Sequence, residues 1–510
     1  MDLLLKEKTP STFENAVTVT GFGKFNILLL LVIIPANFAS VFETTTMSFI
    51  FSPAQCDLDL SLEDKGFLNS ITFIGMISGG LIWGFLFDTL GRKKLLVCGY
   101  LLDGTFVFLS AFSQSITPLI ICKFLGGFII NGPFAAMSAY LSEFHCAKYR
   151  SRIQLTIGTV NTIGTIILPL LSWAILPRAW EFSLFGGVYH SWNVYLLLCS
   201  IPAFYSGIVF LFLPESPKFL MTTGKNEKAL KIFRKVYRIN SGEPEESFPI
   251  TELVDETAIP TDSKHGGKVT ANRTKIQALK EGWQQINPLF HSPYSIKMVL
   301  VCLIQICNLQ SVSMLRLWLP EMFQAIEDYK LHHNGSTDSL CTMLQQLKPN
   351  KAVTGCTINM DNAPVYINSI IVSSVSLGGY LVTGSIINLI GKKKILVILG
   401  FLSSISSCSL YISQNNATTI ALSSVFTGMM SICINVILSV VVAIFPTTLR
   451  TLTLSIAMMI GRIGAVSGSM LFPVLLQIGC FPTFFYIGGT VLCSTLLCFL
   501  LPYTENKELR

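Results

Sequence analysis

Residues 84–94 read GFLFDTLGRKK, and residues 384–394 read GSIINLIGKKK. Both stretches begin with glycine, carry a second glycine at the eighth position and end in basic residues. Gly91 of the first stretch therefore corresponds to Gly391 of the second, at an interval of 300 positions. This correspondence decides the fold, because it divides the chain into two related halves.

A second motif is repeated at the same interval. Arg150 follows Glu143 by seven positions, and Arg450 follows Ala443 by seven positions. Two motifs at one interval indicate that the second half of the chain is a copy of the first. In membrane proteins, parallel copies of this kind are related by an axis along the membrane normal.

The composition identifies a membrane protein. The chain has 510 residues, of which 51% are hydrophobic and 13% are charged, whereas soluble domains carry about 25% charged residues. The apolar residues form blocks long enough to cross a hydrocarbon core of about 30 Å. These values exclude an ordinary soluble enzyme, a disordered chain and a disulfide scaffold. The net charge of +7 comes from basic runs between the apolar blocks, so no nucleic-acid partner is expected.

The apolar blocks predict an all-α membrane protein with twelve transmembrane helices in two pseudo-symmetric bundles of six. The predicted spans are 25–49, 66–87, 95–113, 117–141, 153–175, 193–213, 297–319, 365–390, 394–413, 418–444, 452–475 and 482–501.

Basic residues predict how these spans are oriented. Most of the 36 Lys and Arg residues fall in the termini, the central segment and the loops on the same side, which places both termini in the cytosol. We therefore expect a multi-pass protein of the plasma membrane or an intracellular vesicle membrane. The expected division is a cytosolic tail (1–24), a first bundle (25–213), a cytosolic central loop (214–296), a second bundle (297–501) and a cytosolic tail (502–510). No removable signal peptide is expected, because the first apolar block is too long.

Two loops between the predicted spans carry further signals. In the central loop, Leu230, Phe233 and Tyr237 recur at helical spacing among basic residues, which predicts an amphipathic helix at the inner membrane surface. In the outer loop 320–364, Asn334 begins an Asn-Gly-Ser glycosylation acceptor. Cys341 and Cys356 share that loop and could form a disulfide.

At the level of motifs, the chain resembles the major facilitator superfamily, and within it the organic-ion and synaptic vesicle glycoprotein 2 branch. The loop between spans 2 and 3 is similar to the signature loop of that superfamily. The other residues that carry the resemblance are Gly127, Asn131-Gly132-Pro133, Tyr140, Glu143 with Arg150, Tyr189-His190-Ser191-Trp192, Pro214-Glu215-Ser216-Pro217-Lys218-Phe219, and Phe445-Pro446-Thr447 with Arg450.

The resemblance implies a cytosolic latch between the two halves. In the first copy, Asp88 ends span 2 and Arg92 is within reach of Glu143; in the second copy both acids are missing. The alternative is that the basic residues at this corner only orient the loop. The expected gating residues are Gly84, Asp88, Gly91, Arg92, Glu143, Arg150, Asn388, Gly391, Lys392 and Arg450.

Charges inside the spans are the candidate binding residues, because each costs about 2.5 to 3.5 kcal/mol on insertion scales. Glu43 in span 1 and Lys123 in span 4 lie at the same depth, so we expect them to face each other, either as a structural pair or in a substrate or proton role. Asp103 in span 3 is expected to be a packing partner that could also contact substrate. Arg316 lies near the outer end of span 7 and is expected to reach the interface.

Arg462 is the strongest candidate for a substrate-binding residue, because it lies near the membrane midplane in span 11. Its guanidinium cannot become neutral by losing a proton. It therefore requires either a carboxylate partner within the protein or an anionic substrate. In the organic-ion carriers that this region resembles, a basic residue here accompanies anion transport.

These residues predict a secondary transporter of small organic solutes, with organic anions or zwitterions favoured, that works by alternating access. The expected partners are a small-molecule substrate, a coupling ion and the lipid bilayer. The alternative is a membrane protein that resembles synaptic vesicle glycoproteins, does not transport, and acts in trafficking or partner binding. An enzyme is not expected, and neither is a cofactor or a metal, since the sequence has no catalytic constellation, no CxxC or HExxH pattern and no ATP-binding loop.

Overall fold

The computed structural model describes residues 10–184, 186–254, 289, 291–292, 294–347, 362–445 and 447–502. Within them, a helix lies at each of the twelve predicted spans. The first half comprises α1 (Phe13–Thr20), α2 (Lys24–Thr45), α3 (Met47–Ile50), α4 (Gln55–Leu58), α5 (Leu62–Leu90), α6 (Arg92–Ser110), α7 (Ile116–Glu143), α8 (Ala147–Ile175), the antiparallel hairpin β1 (Glu181–Leu184) and β2 (Gly187–His190), and α9 (Ser191–Phe212).

The central segment and the second half follow the same plan. They comprise α10 (Pro217–Thr222), α11 (Asn226–Ser241), α12 (Ser295–Arg316), α13 (Leu319–His332), α14 (Leu340–Met343), α15 (Ala363–Ile390), α16 (Lys392–Ser409), α17 (Asn416–Ile444), α18 (Thr447–Ile478) and α19 (Cys480–Cys498). Short 3₁₀ turns lie at Glu245–Ser247, Leu344–Leu347 and Leu410–Ile412. The helix bounds differ from the predicted spans by a few residues at most ends, since polar residues extend several helices beyond their apolar blocks.

Ten helices among the described residues are long and apolar enough to cross a membrane. The two remaining predicted spans coincide with α5 and α6. The 19-residue α6 begins with Arg92-Lys93-Lys94 and contains Asp103, so its charge content explains why its apolar signal is weaker.

Equivalent turns begin α6 and α16. Gly91 has φ +88° and Gly391 has φ +90°, a backbone region that favours glycine. A side-chain carbon at Gly91 would also lie 2.7 Å from the Phe219 ring. The repeated glycine therefore makes the same tight corner in each half.

The halves meet mainly along two pairs of long helices: α5 packs on α18, and α8 packs on α15. We call the side that carries Ser11, Gly91 and Lys393 the terminal face, because the first and last described segments of the chain lie there. We call the opposite side, which carries α4 and α13, the distal face.

The amphipathic helix predicted in the central segment is present as α11, but its apolar face does not lie on a membrane. Phe233 is 2% exposed and belongs to a cluster with Phe13 and Val17 of α1, while Val236, also 2% exposed, belongs to the main core. The prediction of a surface-bound helix is therefore wrong for that face, because α1 covers it. Sequence periodicity shows that an apolar face exists but not what packs against it.

Candidate functional site

Arg462 makes the central contact between the halves. It lies halfway along the 32-residue α18, and its Nη1 atom donates a hydrogen bond of 2.6 Å to Oδ1 of Asn131 on α7. Asn131 in turn donates to the carbonyl of Met76 on α5 at 3.1 Å. One side chain of the second half is therefore held by two helices of the first.

A glycine positions this arginine. A side-chain carbon at Gly464 would lie 2.2 Å from the carbonyl oxygen of Ile306, so α18 packs against the backbone of α12 at this point. With that side of α18 against α12, Arg462 extends toward α7 instead.

The partner of Arg462 is a neutral amide rather than an acid. The described residues offer it no ion pair, and residues 363–504 contain no Asp or Glu at all. Arg462 as a whole residue is half-buried. Its positive charge is therefore balanced by no carboxylate in the described part of its own bundle.

Glu43 and Lys123 form a buried ion pair in the first half, where their equal depth predicted that they would face each other. The Lys123 Nζ atom lies 2.9 Å from Oε2 of Glu43, and the two side chains are 1% and 0% exposed. A side-chain carbon at Gly126 would lie 2.6 Å from Oε1 of Glu43, so this glycine leaves the space that the carboxylate occupies.

Asp103 of α6 joins this pair. It is 0% exposed, and neither of its carboxylate oxygens has a hydrogen-bond partner among the described residues. Asp103 lies within electrostatic reach of both Glu43 and Lys123. The expectation of a packing partner that could also contact substrate did not include this neighbourhood, because depth along a span does not reveal which way a side chain points.

The corner between α5 and α6 is tied to α7 and to the segment before α10. Arg92 Nε lies 3.2 Å from Oε1 of Glu143, and its guanidinium lies 5.3 Å from the centre of the Phe219 ring. The Oε1 atom of Glu215 accepts a hydrogen bond of 2.9 Å from the backbone N–H of Lys93. The structure thus brings Arg92 and Glu143 together, but inside the first half rather than between the halves.

Glu215 was not among the predicted site residues. Its signal in the sequence is the Pro214-Glu215-Ser216-Pro217 stretch, which served only to establish the family resemblance.

Arg150 supports the same face. Its Nε donates to the carbonyls of Ser142 and His145, and its Nη2 lies 2.6 Å from Oε1 of Glu14. His145 is buried, and burial together with the charge of Arg150 lowers the pKa of its imidazole. Arg150 therefore ties the end of α7 to α1.

The equivalent corner of the second half is built on backbone contacts. Lys392 Nζ donates to the carbonyl of Ser439 at 3.2 Å, and Nε of Arg450 is buried with no hydrogen-bond partner among the described residues. Ala443 stands where the first half has Glu143. Gly84, Asp88 and Asn388, which were predicted to gate, lie in the helical backbone of α5 and α15, and the contacts of their side-chain positions lie outside what the structure describes.

A second buried ion pair joins the halves at the distal face, and sequence reasoning missed it. Lys65 Nζ at the start of α5 lies 2.8 Å from Oε2 of Glu321 on α13, and the side chains are 5% and 3% exposed. Lys65 also donates to Gln55 at 3.1 Å. Both charges flank apolar spans in the sequence, but nothing there pairs residues 256 positions apart.

Aromatic packing surrounds this pair. Trp318 stacks on Phe472 of α18 at 4.9 Å and contacts Phe51 of the first half at 6.3 Å between ring centres. The Asn69 side chain donates to the carbonyl of Leu317 at 3.4 Å. The described contacts between the halves therefore run from the centre to the distal face, which is closed.

The predicted disulfide is wrong in its pairing. Cys341 bonds to Cys480 at the start of α19, with 5.6 Å between their Cα atoms, and Cys356 lies outside the described residues. The cause is local: Leu340 N–H donates to the carbonyl of Ser413, which brings α14 to the end of the second bundle. Cys56 is also disulfide-bonded. Asn334, the predicted glycosylation site, is exposed in the turn after α13.

Two remaining expectations concern Arg316 and metals. Arg316 ends α12 and is partly exposed, and its Nε has no hydrogen-bond partner among the described residues. In the described part of the chain, no group of His, Cys, Asp or Glu side chains has the arrangement of a metal site.

Two six-helix bundles that meet at a polar contact in mid-membrane are the architecture of a membrane transporter rather than an enzyme. The family model of "Sugar (and other) transporter" matches residues 29–314, and that of the "Major Facilitator Superfamily" matches residues 301–510. The chain belongs to the sugar (and other) transporter family of the major facilitator superfamily.

Among curated proteins, the chain is 29% identical to synaptic vesicle glycoprotein 2B of Rattus norvegicus over 334 residues, which is 63% of this chain and 49% of the relative. It is 32% identical to synaptic vesicle glycoprotein 2C of Mus musculus over 254 residues, 49% of this chain and 35% of the relative. The chain thus spans about half or less of the length of these relatives and resembles their branch of the superfamily.

Among solved structures, the inward-open xylose transporter XylE from E. coli matches with a TM-score of 0.65 and 16% identity. The match covers 95% of this chain and 98% of that one. The partially occluded form of the same protein matches with a TM-score of 0.64. At this identity the likeness concerns the fold.

Proposed function

We propose that this transporter carries organic anions or zwitterions by alternating access, with Arg462 as the group that holds the anionic part of the substrate. The observation that carries the proposal is the hydrogen bond between Arg462 and a neutral asparagine at the centre of the molecule. A fixed positive charge in mid-membrane is costly unless an anion balances it.

A carboxylate of the substrate could replace Asn131 as the hydrogen-bond acceptor of the Arg462 guanidinium. The guanidinium has five N–H donors, so a carboxylate could take two parallel hydrogen bonds and replace the single one to Asn131 Oδ1. Asn131 would keep its hydrogen bond to the Met76 carbonyl. Substrate binding would then change the link between α18 and α7, which belong to opposite halves.

Access from the two sides would alternate through the contacts between the halves. The distal face is closed by Lys65 with Glu321 and by the packing of Trp318. On the terminal face, we propose that Asp88, Arg92 and Glu143 belong to the latch that closes when the distal face opens. Asp88→Asn should raise the labelling of cysteines introduced on the terminal face, whereas unchanged labelling at normal expression would contradict this role.

The proposed orientation has the terminal face in the cytosol of the plasma membrane or of a vesicle membrane. The predicted excess of Lys and Arg on that side supports it, and the printed names of the relatives favour a vesicle. Tags at both ends should be protected from external protease in intact cells. An accessible tag at either end would contradict the orientation.

The test of the substrate class is uptake by liposomes that contain the purified protein. A metabolite mixture with carboxylates, zwitterions, permanent cations and neutral sugars is offered to the wild-type protein, to Arg462→Ala and to Arg462→Lys. We expect uptake of anions or zwitterions that Arg462→Ala lowers at least tenfold and Arg462→Lys restores only in part, because lysine lacks the planar fork.

Lys228→Ala is the matched control, since Lys228 is exposed on α11 far along the chain from the contact between the halves. Uptake of sugars or permanent cations alone, or unchanged uptake by Arg462→Ala, would refute the proposal. If no solute is taken up while the protein binds vesicle components, the alternative of a membrane protein that acts through partner binding is favoured. The observation behind that alternative is the similarity to synaptic vesicle glycoproteins.

A further inference from the structure

The buried acid of α6 has no counter-charge of its own. Asp103 is 0% exposed, and both of its carboxylate oxygens lack a hydrogen-bond partner among the described residues. An ionised carboxylate in such surroundings is strongly unfavourable, because it has lost the water that would solvate it.

Lys123, the cation of this cluster, already forms an ion pair. Lys123 lies 2.9 Å from Glu43, and both side chains are enclosed. This pair is neutral as a whole, so an ionised Asp103 would give the group of three a net negative charge in a low-dielectric interior.

Among the described residues, the other groups near Asp103 supply no second positive charge. The helix α6 packs on α7 and α9. Besides Lys123 of α7 and Glu43 of α2, the titratable groups that interact with this cluster are the buried Tyr100 hydroxyl of α6, the buried Cys199 thiol of α9 and the half-buried Cys122 thiol of α7. A phenol and a thiol cannot neutralise a carboxylate.

We propose that Asp103 binds an exchangeable proton and thereby keeps the cluster of Asp103, Glu43 and Lys123 electrically neutral in this conformation. The step forms one O–H bond on an Asp103 carboxylate oxygen and breaks one O–H bond of a hydronium ion, which leaves as water. A metal ion would need several oxygen ligands at once, whereas a proton needs only one.

This inference rests on the proposed function in one respect, namely how the proton exchanges. The site is enclosed here, so the proton is trapped until the helices rearrange between the two states of the transport cycle. Asp103 would then make the cycle depend on protons through the first half, away from the Arg462 contact.

The test needs no substrate and uses the whole protein in liposomes. Infrared spectra recorded in neutral and alkaline buffer reveal protonated side-chain carboxyls by their C=O stretching band. Aspartate labelled with carbon-13 at its side-chain carboxyl shifts that band only if an aspartate carries the proton. We expect a shifted band in the wild-type protein and its loss in Asp103→Asn.

A second variant keeps the proposal testable if Asp103→Asn does not fold. Asp103→Glu should retain the band but move its sensitivity from labelled aspartate to labelled glutamate. Glu227→Gln is the matched control, because Glu227 is exposed on α11 and should leave the band unchanged.

Several outcomes would overturn the assignment. They are the absence of a protonated carboxyl band at neutral pH, its survival in Asp103→Asn, its failure to shift when aspartate is labelled, and its removal by sodium at constant pH. A failed uptake assay would leave this result standing, so the proton site and the substrate class are tested separately.

Discussion

The two halves of the chain share a helical plan but differ in how they hold charge. The first half places Glu43, Asp103 and Lys123 together in its interior, while the spans of the second half contain no acid and carry Arg462. Duplication has therefore kept the geometry of the corners at Gly91 and Gly391 and not the electrostatics. Backbone geometry depends on a few glycines, whereas internal charge can diverge freely between copies.

This difference suggests a division of labour between the halves. The cluster of Asp103, Glu43 and Lys123 inside the first bundle can bind a proton. Arg462, at the boundary between the bundles, can bind an anion from solution. Four predictions test this difference between the halves.

The largest effect on stability is expected at the buried ion pair of the first half. Glu43→Gln leaves the Lys123 ammonium buried without its carboxylate, which should lower the stability of the protein by about 3–5 kcal/mol. The double variant Glu43→Gln with Lys123→Met should regain part of this loss. Thermal unfolding of the purified variants measures both effects, and additive losses in the double variant would show that the pair does not interact.

The next effect concerns the joint between the halves. Lys65→Met leaves Glu321 buried and unpaired, at a cost of about 2–5 kcal/mol that opening of the distal face would relieve. The distance between spin labels at Ser115 and Gln414, on opposite halves of that face, should therefore lengthen. Glu63→Gln, an exposed neighbour, should leave the distance unchanged. An unchanged distance in Lys65→Met would show that the pair does not hold the face closed.

A smaller effect is expected at the corner of the first half. Glu143→Gln removes the carboxylate that pairs with Arg92, a hydrogen bond to a charged group that contributes about 1.5–3 kcal/mol. Unfolding should begin at lower temperature, while the equivalent change Ala443→Gln in the second half should have little effect. Equal losses from the two changes would contradict the asymmetry between the corners.

The smallest effect comes from rebuilding the missing acid. Ala443→Glu places a carboxylate opposite Lys392 as Glu143 stands opposite Arg92, with an expected gain of about 0.5–1 kcal/mol. The gain should disappear in Ala443→Glu combined with Lys392→Met. Stabilisation that persists in that double variant would indicate a different partner for the new acid.

Much of the fold was predictable from the sequence. A repeat at an interval of 300 residues and the length of each apolar block define twelve helices, since a helix rises 1.5 Å per residue. The same rise placed Glu43 and Lys123 at one depth and Arg462 near the middle of its helix. Depth along a span is thus readable from sequence alone.

The direction in which a side chain points is not readable in this way. It depends on how helices rotate against one another, which is why Asp103 was not assigned to its cluster. Contacts between distant segments were missed for the same reason, including Lys65 with Glu321 and Cys341 with Cys480.

The attachment of the N-terminal segment to the first half has a practical consequence. Ser11 is paired with Leu253, and Asn240 of α11 bonds to the carbonyls of Thr20 and Gly21 just before α2. A fluorophore fixed on α1 would therefore move as a rigid extension of the first bundle. Combined with a second fluorophore at the terminal-face end of α19, it would report the rocking motion of one bundle against the other by fluorescence.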